Sequence, residues 1–132
     1  MKNIEKKIIK HLKDRGWDNL RPSDIAKSIM IEGAELLELF QWENLPLKDI
    51  KRDKKKVNEI KKELADVLIY TIEMAVLLGI DSEKAILEKL DHVNKKYPAK
   101  LMRKDSKGDP GTGEDSDYWR IKKDYRKNGK KS

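Results

Sequence analysis

The chain has 132 residues, of which 42% are charged and 37% hydrophobic, and it contains no Cys and only two His. This length suits one domain, and the composition excludes a disulfide framework, a zinc–thiolate site and a metal centre built from several histidines. The net charge of +7 comes mainly from residues 98–132, so the rest of the chain is nearly neutral.

The N-terminal segment carries charges throughout, which argues against a secretory signal. The longest apolar run covers residues 67–80 and is interrupted by Glu73. A bilayer span needs about 20 apolar residues, so this run is too short. We therefore expect a soluble, cytoplasmic protein that does not cross a membrane.

The spacing of apolar residues predicts four helices and no strand, which places the chain in the all-α class. The first helix covers Asn3–Asp14, and Gly16 follows its end. The second opens at Arg21-Pro22-Ser23, with Ser23 as its N-cap, and extends to about Trp42.

A polar connector over residues 48–56 leads to the third predicted helix, Val57–Leu78, which ends at Gly79. The fourth begins at Asp81-Ser82 and ends near Lys96, because Pro98 cannot continue it.

The C-terminal part differs in composition. Residues 104–116 are rich in Gly, Asp and Ser and predict a mobile loop. Tyr118–Arg126 predicts one or two helical turns, with Trp119 as a docking residue, and Lys127 onward should be frayed. The expected organisation is a helical domain over residues 1–103 and a basic, partly disordered tail over residues 104–132.

The second predicted helix carries carboxylates on its apolar side. At about 100° per residue, Glu32 falls between Leu36 and Leu39 within the apolar stripe, and Glu35 falls at the edge of that stripe. An ionised carboxylate buried without a partner is strongly unfavourable, so Glu32 requires a cation.

The third predicted helix repeats this arrangement, because Glu63 and Asp66 project from one side, one turn apart. After Asp66 the helix is apolar nearly all round, which predicts burial on every side. Asp66 should therefore stand at the mouth of a core or of an oligomer interface.

Two facing carboxylate pairs would form a site of oxygen ligands, which suits Mg²⁺ or Mn²⁺ better than zinc or copper. A di-iron bundle would need Glu-x-x-His pairs, which the sequence lacks. The ordinary alternative is a solvated helix face with surface ion pairs, for example from Glu35 to Lys27 or from Glu63 to Lys62. That alternative does not explain Glu32.

The carboxylates belong to two longer motifs, Glu32-Gly-Ala-Glu35-Leu-Leu-Glu38-Leu-Phe-Gln-Trp42 and Glu63-Leu-Ala-Asp66-Val-Leu-Ile-Tyr70. Together with Lys96-Tyr97-Pro98 they resemble the MazG-like all-α nucleotide pyrophosphohydrolases, and most of all the branch that contains the dCTP pyrophosphatases. The resemblance covers roughly residues 17–101.

The resemblance implies a four-helix bundle assembled as a dimer or a dimer of dimers. It also implies hydrolysis of a (deoxy)nucleoside triphosphate at the α–β phosphoanhydride bond, with Mg²⁺ as cofactor and Mn²⁺ as an alternative. The metal ligands would be Glu32, Glu35, Glu63 and Asp66. Glu35 and Glu63 would be catalytic, with Glu35 favoured as the proton acceptor. The implied substrate-binding residues are Trp17, Trp42, Tyr70, Lys89, Asp91, Asn94, Lys96 and Tyr97.

Three other interpretations remain open at this point. The basic C-terminal segment, with aromatic residues among its Lys and Arg, fits a nucleic-acid-binding module, although this leaves Glu32 and Asp66 unexplained. The chain could instead be an oligomerisation domain without turnover. A related branch that acts on phosphoribosyl-ATP shares the chemistry. The base, the sugar, and the choice between housecleaning and control of normal nucleotide pools are not specified by the sequence.

Overall fold

The computed structural model describes residues 1–105 and 117–129, and its regular elements in these residues are all helices, which confirms the expected fold class. They are α1 (Lys2–Asp14), α2 (Pro22–Glu38), α3 (Leu47–Arg52), α4 (Lys54–Leu77), α5 (Ser82–Lys96), α6 (Ala99–Asp105) and α7 (Asp117–Lys127). The chain forms two compact units, Met1–Ser82 and Glu83–Ser132. Within the described residues, no helix is both long enough and apolar enough to span a membrane.

In the first unit, α4 packs mainly against α2 and also against α1 and α3. The apolar core lies between α1 and α4, where Ile8, Leu12 and Ile72 are buried and Val76 and Leu77 pack against them. The spacing of these residues at three and four positions produces one apolar side on each helix, and the two sides cover each other.

The C-terminal end of α2 is joined to the N-terminal end of α4. The ammonium group of Lys56 donates a hydrogen bond to the carbonyl oxygen of Leu39 and lies 5.5 Å from the centroid of the Phe40 ring. A cation at a helix C-terminus is favourable because the last carbonyl groups carry partial negative charge. This contact sets the register of the two helices.

The second helix differs from its predicted bounds at both ends. Its N-cap is Arg21 rather than Ser23, and no side chain caps it. Pro22 explains the start, because its fixed φ suits the first helical position and keeps the preceding residue extended. The helix ends at Glu38 rather than near Trp42. At this end, Lys56 donates a hydrogen bond to the carbonyl oxygen of Leu39.

The predicted polar connector contains the short helix α3, and α4 begins at Lys54 rather than Val57. Asp53 explains the earlier start, because its side chain accepts a hydrogen bond of 3.1 Å from the backbone N–H of Lys56. Gly79 follows α4 with a φ of +69°, the left-handed conformation expected of a glycine at a helix end.

The prediction that the third helix is buried on every side is wrong for the single chain. Leu68, Ile69 and Leu78 are exposed, whereas Ile72 is buried. The reason is geometric, since α1 and α2 cover only part of the surface of α4. The exposed part includes an apolar groove of about 250 Å³ formed by α1 and α4.

In the second unit, α6 packs against α7, and α7 also contacts the end of α5. The rings of Tyr97 and Tyr118 are stacked with centroids 4.9 Å apart, and Trp119 lies edge-on to Tyr118. A helix at Tyr118–Arg126 is confirmed, and it is longer than expected. Of the predicted loop over residues 104–116, residues 106–116 lie outside the described part of the chain, as do residues 130–132.

Candidate metal and nucleotide site

The antiparallel register of α2 and α4 places two carboxylates at the same level. Glu32 lies seven residues before Leu39, and Glu63 lies seven residues after Lys56, which bonds to Leu39. Equal distances from the joined ends bring the two side chains opposite each other. Carboxylate oxygens of Glu32, Glu63 and Asp66 lie within 4.8 Å of one another. We call these three residues the acidic cluster.

Glu35 adds a fourth carboxylate to this region. A side-chain hydrogen bond with Glu35 is the main factor that raises the pKa of Glu32, followed by burial and by the neighbouring negative charges. Burial is the main factor that raises the pKa of Glu63, followed by the charge of Glu35, a hydrogen bond with Glu35, and the charges of Asp66 and Glu38. All these influences disfavour the ionised forms of the two carboxyl groups, and none of them comes from a positively charged neighbour.

Two oxygens of the acidic cluster also lack partners. Glu32 Oε2 and Glu63 Oε2 are inaccessible to solvent and have no hydrogen-bond partner. Among the described residues, no Lys, Arg or His forms an ion pair with Glu32, Glu35, Glu63 or Asp66. Buried acceptors surrounded by like charge are costly, so this arrangement suits a bound cation. Oxygen-only ligands favour a hard divalent ion.

A cavity of about 360 Å³ adjoins the acidic cluster, because Asp66 forms part of its lining. Trp17 and Tyr70, two of the aromatic residues predicted to bind substrate, line the same cavity. Trp17 lies edge-on to His11, with ring centroids 5.9 Å apart. The structure therefore places two of the predicted rings beside the predicted metal ligands.

The other predicted substrate-binding residues are not among the residues that line this cavity. Trp42 is 87% exposed, follows the end of α2 and is not part of the cavity lining. In the second unit, Lys89 and Asn94 are exposed, and Asp91 forms an exposed ion pair of 2.9 Å with Lys95.

Lys96 and Tyr97, at the end of α5, have partners within the second unit. Lys96 is 3% exposed, and its ammonium nitrogen lies 4.4 Å from the centroid of the Tyr125 ring. Tyr97 stacks on Tyr118.

Several lining residues were not predicted from the sequence, namely His11, Leu20, Asp24, Ile25, Ser28, Ile69 and Glu73. Glu73 could have been recognised, because a carboxylate within an apolar helical run, three residues after Tyr70 and seven after Asp66, lies on the same side as both. Glu38, which acts on the pKa of Glu63, belongs to the first motif but was not assigned a role.

Comparisons with known proteins identify relatives of this chain. The MazG-like family matches residues 27–107. Over 99 residues the chain is 34% identical to dCTP pyrophosphatase 1 of Homo sapiens, which covers 71% of this chain and 56% of that protein. The protein of the same name from Rattus norvegicus is 31% identical over 93 residues, or 68% of this chain and 54% of that protein.

A pyrophosphatase from Archaeoglobus fulgidus, known from its crystal structure, has a similar fold. The TM-score is 0.65 at 32% sequence identity, and the similar region covers 74% of this chain and 92% of that one. The chain spans only a little over half the length of the curated relatives that it matches.

Proposed function

Because the chain belongs to the MazG-like family, we propose that it hydrolyses a (deoxy)nucleoside triphosphate at the α–β phosphoanhydride bond. The products are a nucleoside monophosphate and pyrophosphate, and the role is housecleaning of the nucleotide pool. The observation that carries this proposal is the acidic cluster, whose buried oxygens lack partners beside a cavity lined by aromatic rings. The names of the relatives, dCTP pyrophosphatase 1 and pyrophosphatase, support it.

The cofactor in this proposal is Mg²⁺, with Mn²⁺ as an alternative. Glu32, Glu63 and Asp66 would hold the ion, and Glu35, which influences the pKa of both Glu32 and Glu63, would complete the set. When bound, the ion supplies positive charge that neutralises the triphosphate and lowers the pKa of water.

The protein's own groups account for proton transfer and orientation. An oxygen of water attacks the α-phosphorus, and the bond from that phosphorus to the oxygen that bridges it to the β-phosphorus breaks. Glu35 accepts the proton of the water, because it is exposed at the edge of the cluster and lies close enough to Glu32 and Glu63 to influence their pKa values. Glu63, on the facing helix, would position the metal ion opposite Glu35. The pyrophosphate leaves with the electron pair of the broken bond and so with its negative charge.

In the substrate complex, the rings of Trp17 and Tyr70 would enclose the base in the cavity. Roles for Trp42, Lys89, Asp91, Asn94, Lys96 and Tyr97 in substrate binding remain proposals based on the family resemblance.

The proposed assembly is a homodimer or a homotetramer. Its support is the apolar groove of α1 and α4, where Ile4, Leu68 and Ile69 are exposed on a single chain. Light scattering at micromolar concentration should give at least twice the mass of the chain, and Leu68→Glu should reduce it. Leu47→Glu, at an exposed residue of α3 away from this groove, is the matched control. A monomeric wild-type protein would contradict the proposal.

The decisive experiment is a panel of canonical and modified nucleoside triphosphates incubated with Mg²⁺. Each reaction is analysed for monophosphate and pyrophosphate. At least one nucleotide should yield both in equal amounts. Release of orthophosphate and a diphosphate would contradict cleavage at the α–β bond.

A further inference from the structure

The cavity beside the acidic cluster has a buried ionisable group in its lining. Glu73 is 4% exposed, lies between Ile72 and Met74 on α4, and is part of the cavity lining. Among the described residues, no hydrogen bond or ion pair reaches its carboxyl group. A carboxyl group that lines the cavity and receives no hydrogen bond from the described part of the protein is available to a partner that enters the cavity.

Three cavity residues of α4 follow one another along the helix. Asp66, Tyr70 and Glu73 are spaced four and three apart, so they lie on one side of α4. Seven residues of helix correspond to about 10 Å along its axis. A nucleotide with its phosphates at Asp66 would place its base beside Tyr70, with one edge of the base toward Glu73.

The walls around Glu73 fit a flat heterocycle. Trp17 and Tyr70 provide aromatic faces, and Leu20, Ile25 and Ile69 provide apolar contact. His11, on α1, lies edge-on to Trp17. Burial raises the pKa of Glu73, and the charge of His11 acts in the opposite direction. The polar group most deeply buried in this lining is therefore a carboxyl group.

Given the function proposed above, on which this inference rests, we propose that Glu73 is a specificity-determining residue that accepts a hydrogen bond from the exocyclic amino group of the nucleobase. Cytosine and adenine present such an amino group beside a ring nitrogen. A carboxylate oxygen accepts a hydrogen bond from the amino group. Uracil and thymine present carbonyl oxygens on both sides of their N–H, and these oxygens repel a carboxylate.

The test compares two substrates that differ at this edge of the base, dCTP and dUTP, with Mg²⁺. Wild-type protein should give the higher kcat/KM with dCTP. Glu73→Leu should reduce the ratio of the two kcat/KM values about 10-fold or more, mainly through a higher KM for dCTP. Glu73→Gln keeps the size of the side chain and should also reduce the ratio, because its amide can donate to the carbonyl of uracil. Glu83→Gln, at an exposed carboxylate of α5, should leave the ratio unchanged.

A second measurement is independent of turnover. Calorimetric titration with dCMP and dUMP, in the presence of a chelator, should show preference for dCMP in wild-type protein and loss of that preference in Glu73→Leu. Circular dichroism establishes that each variant is folded. If folded wild-type protein hydrolyses no nucleotide, the proposed function fails, and the titration still tests Glu73. If hydrolysis occurs and both preferences are unchanged in folded Glu73→Leu and Glu73→Gln, the inference about Glu73 is wrong and the proposed function stands.

Discussion

Two regions of the molecule bury ionisable side chains whose polar atoms lack hydrogen-bond partners. These atoms are Glu5 Oε1, Glu32 Oε2 and Glu63 Oε2 in the first unit, of which the last two belong to the acidic cluster, and Lys96 Nζ in the second unit. The surroundings differ. Lys96 lies 4.4 Å from the ring centroid of Tyr125 and 5.1 Å from that of Tyr97, so two aromatic faces stabilise its charge.

The acidic cluster has no such compensation. The groups that act on the pKa values of Glu32 and Glu63 are other carboxylates, and all of them raise these values. A missing hydrogen bond is therefore not sufficient to identify a ligand site. The sign of the surrounding charge separates the two cases, because Lys96 has a partner within the protein and the acidic cluster requires one from outside.

The largest expected effect tests the acidic cluster directly. Glu63→Gln and Asp66→Asn should each lower the turnover number about 100-fold or more while leaving the helical circular dichroism signal intact, because each removes a proposed metal ligand. Glu83→Gln removes the same charge from α5 and should have no such effect. Activity close to that of wild-type protein in both cluster variants would remove these residues from the mechanism.

The second prediction concerns the stability of the metal-free protein. A raised pKa means that the folded state binds the proton more tightly than the unfolded state, so stability decreases as the pH rises through that pKa. At pH 7 in a chelator, Glu63→Gln should therefore have a higher Tm than wild-type protein. The difference should shrink as the pH is lowered toward 4.5, the ordinary pKa of Glu.

Mg²⁺ should affect the Tm of these two proteins to different degrees. It should raise the Tm of wild-type protein and have a smaller effect on Glu63→Gln, because the ion binds the folded state. If both metal-free proteins have the same Tm at pH 7 and respond equally to Mg²⁺, the negative charges of the acidic cluster do not destabilise the metal-free protein, which would contradict this prediction.

The third prediction tests whether the aromatic rings of the second unit stabilise the charge of Lys96. Tyr125→Leu removes one of the rings that face Lys96 and should lower the Tm by about 2–5 °C, since a desolvated cation–π contact contributes roughly 0.5–2 kcal/mol. If Lys96 has a structural role, the double variant Lys96→Met/Tyr125→Leu should lose less stability than the two single changes together. Strict additivity would contradict coupling between the ammonium group and the ring.

The sequence predicted the acidic cluster because the information is local. Spacings of three residues within α2 and within α4 determine which carboxylates share a side. The end of α2 could not be predicted in this way, since it depends on Lys56 from the next long helix. The partner of Lys96 is likewise distant, because Tyr125 lies on α7. Glu73 was treated as an interruption of an apolar run, and only the cavity shows what it faces.

The smallest effect is expected from removal of the C-terminal segment after Arg103. This truncation eliminates α7, with Tyr118 and Tyr125, and so uncovers the end of α5. Among the described residues, the acidic cluster and the lining of the adjoining cavity are formed by residues that precede Arg103, so the turnover number should be unchanged. The KM for the triphosphate should rise at most several-fold, because basic residues that attract a polyanion are lost, and the difference should diminish with added salt. Steady-state kinetics at two ionic strengths measures both quantities. Abolished turnover in a truncated protein that is still folded would place the segment within the active site.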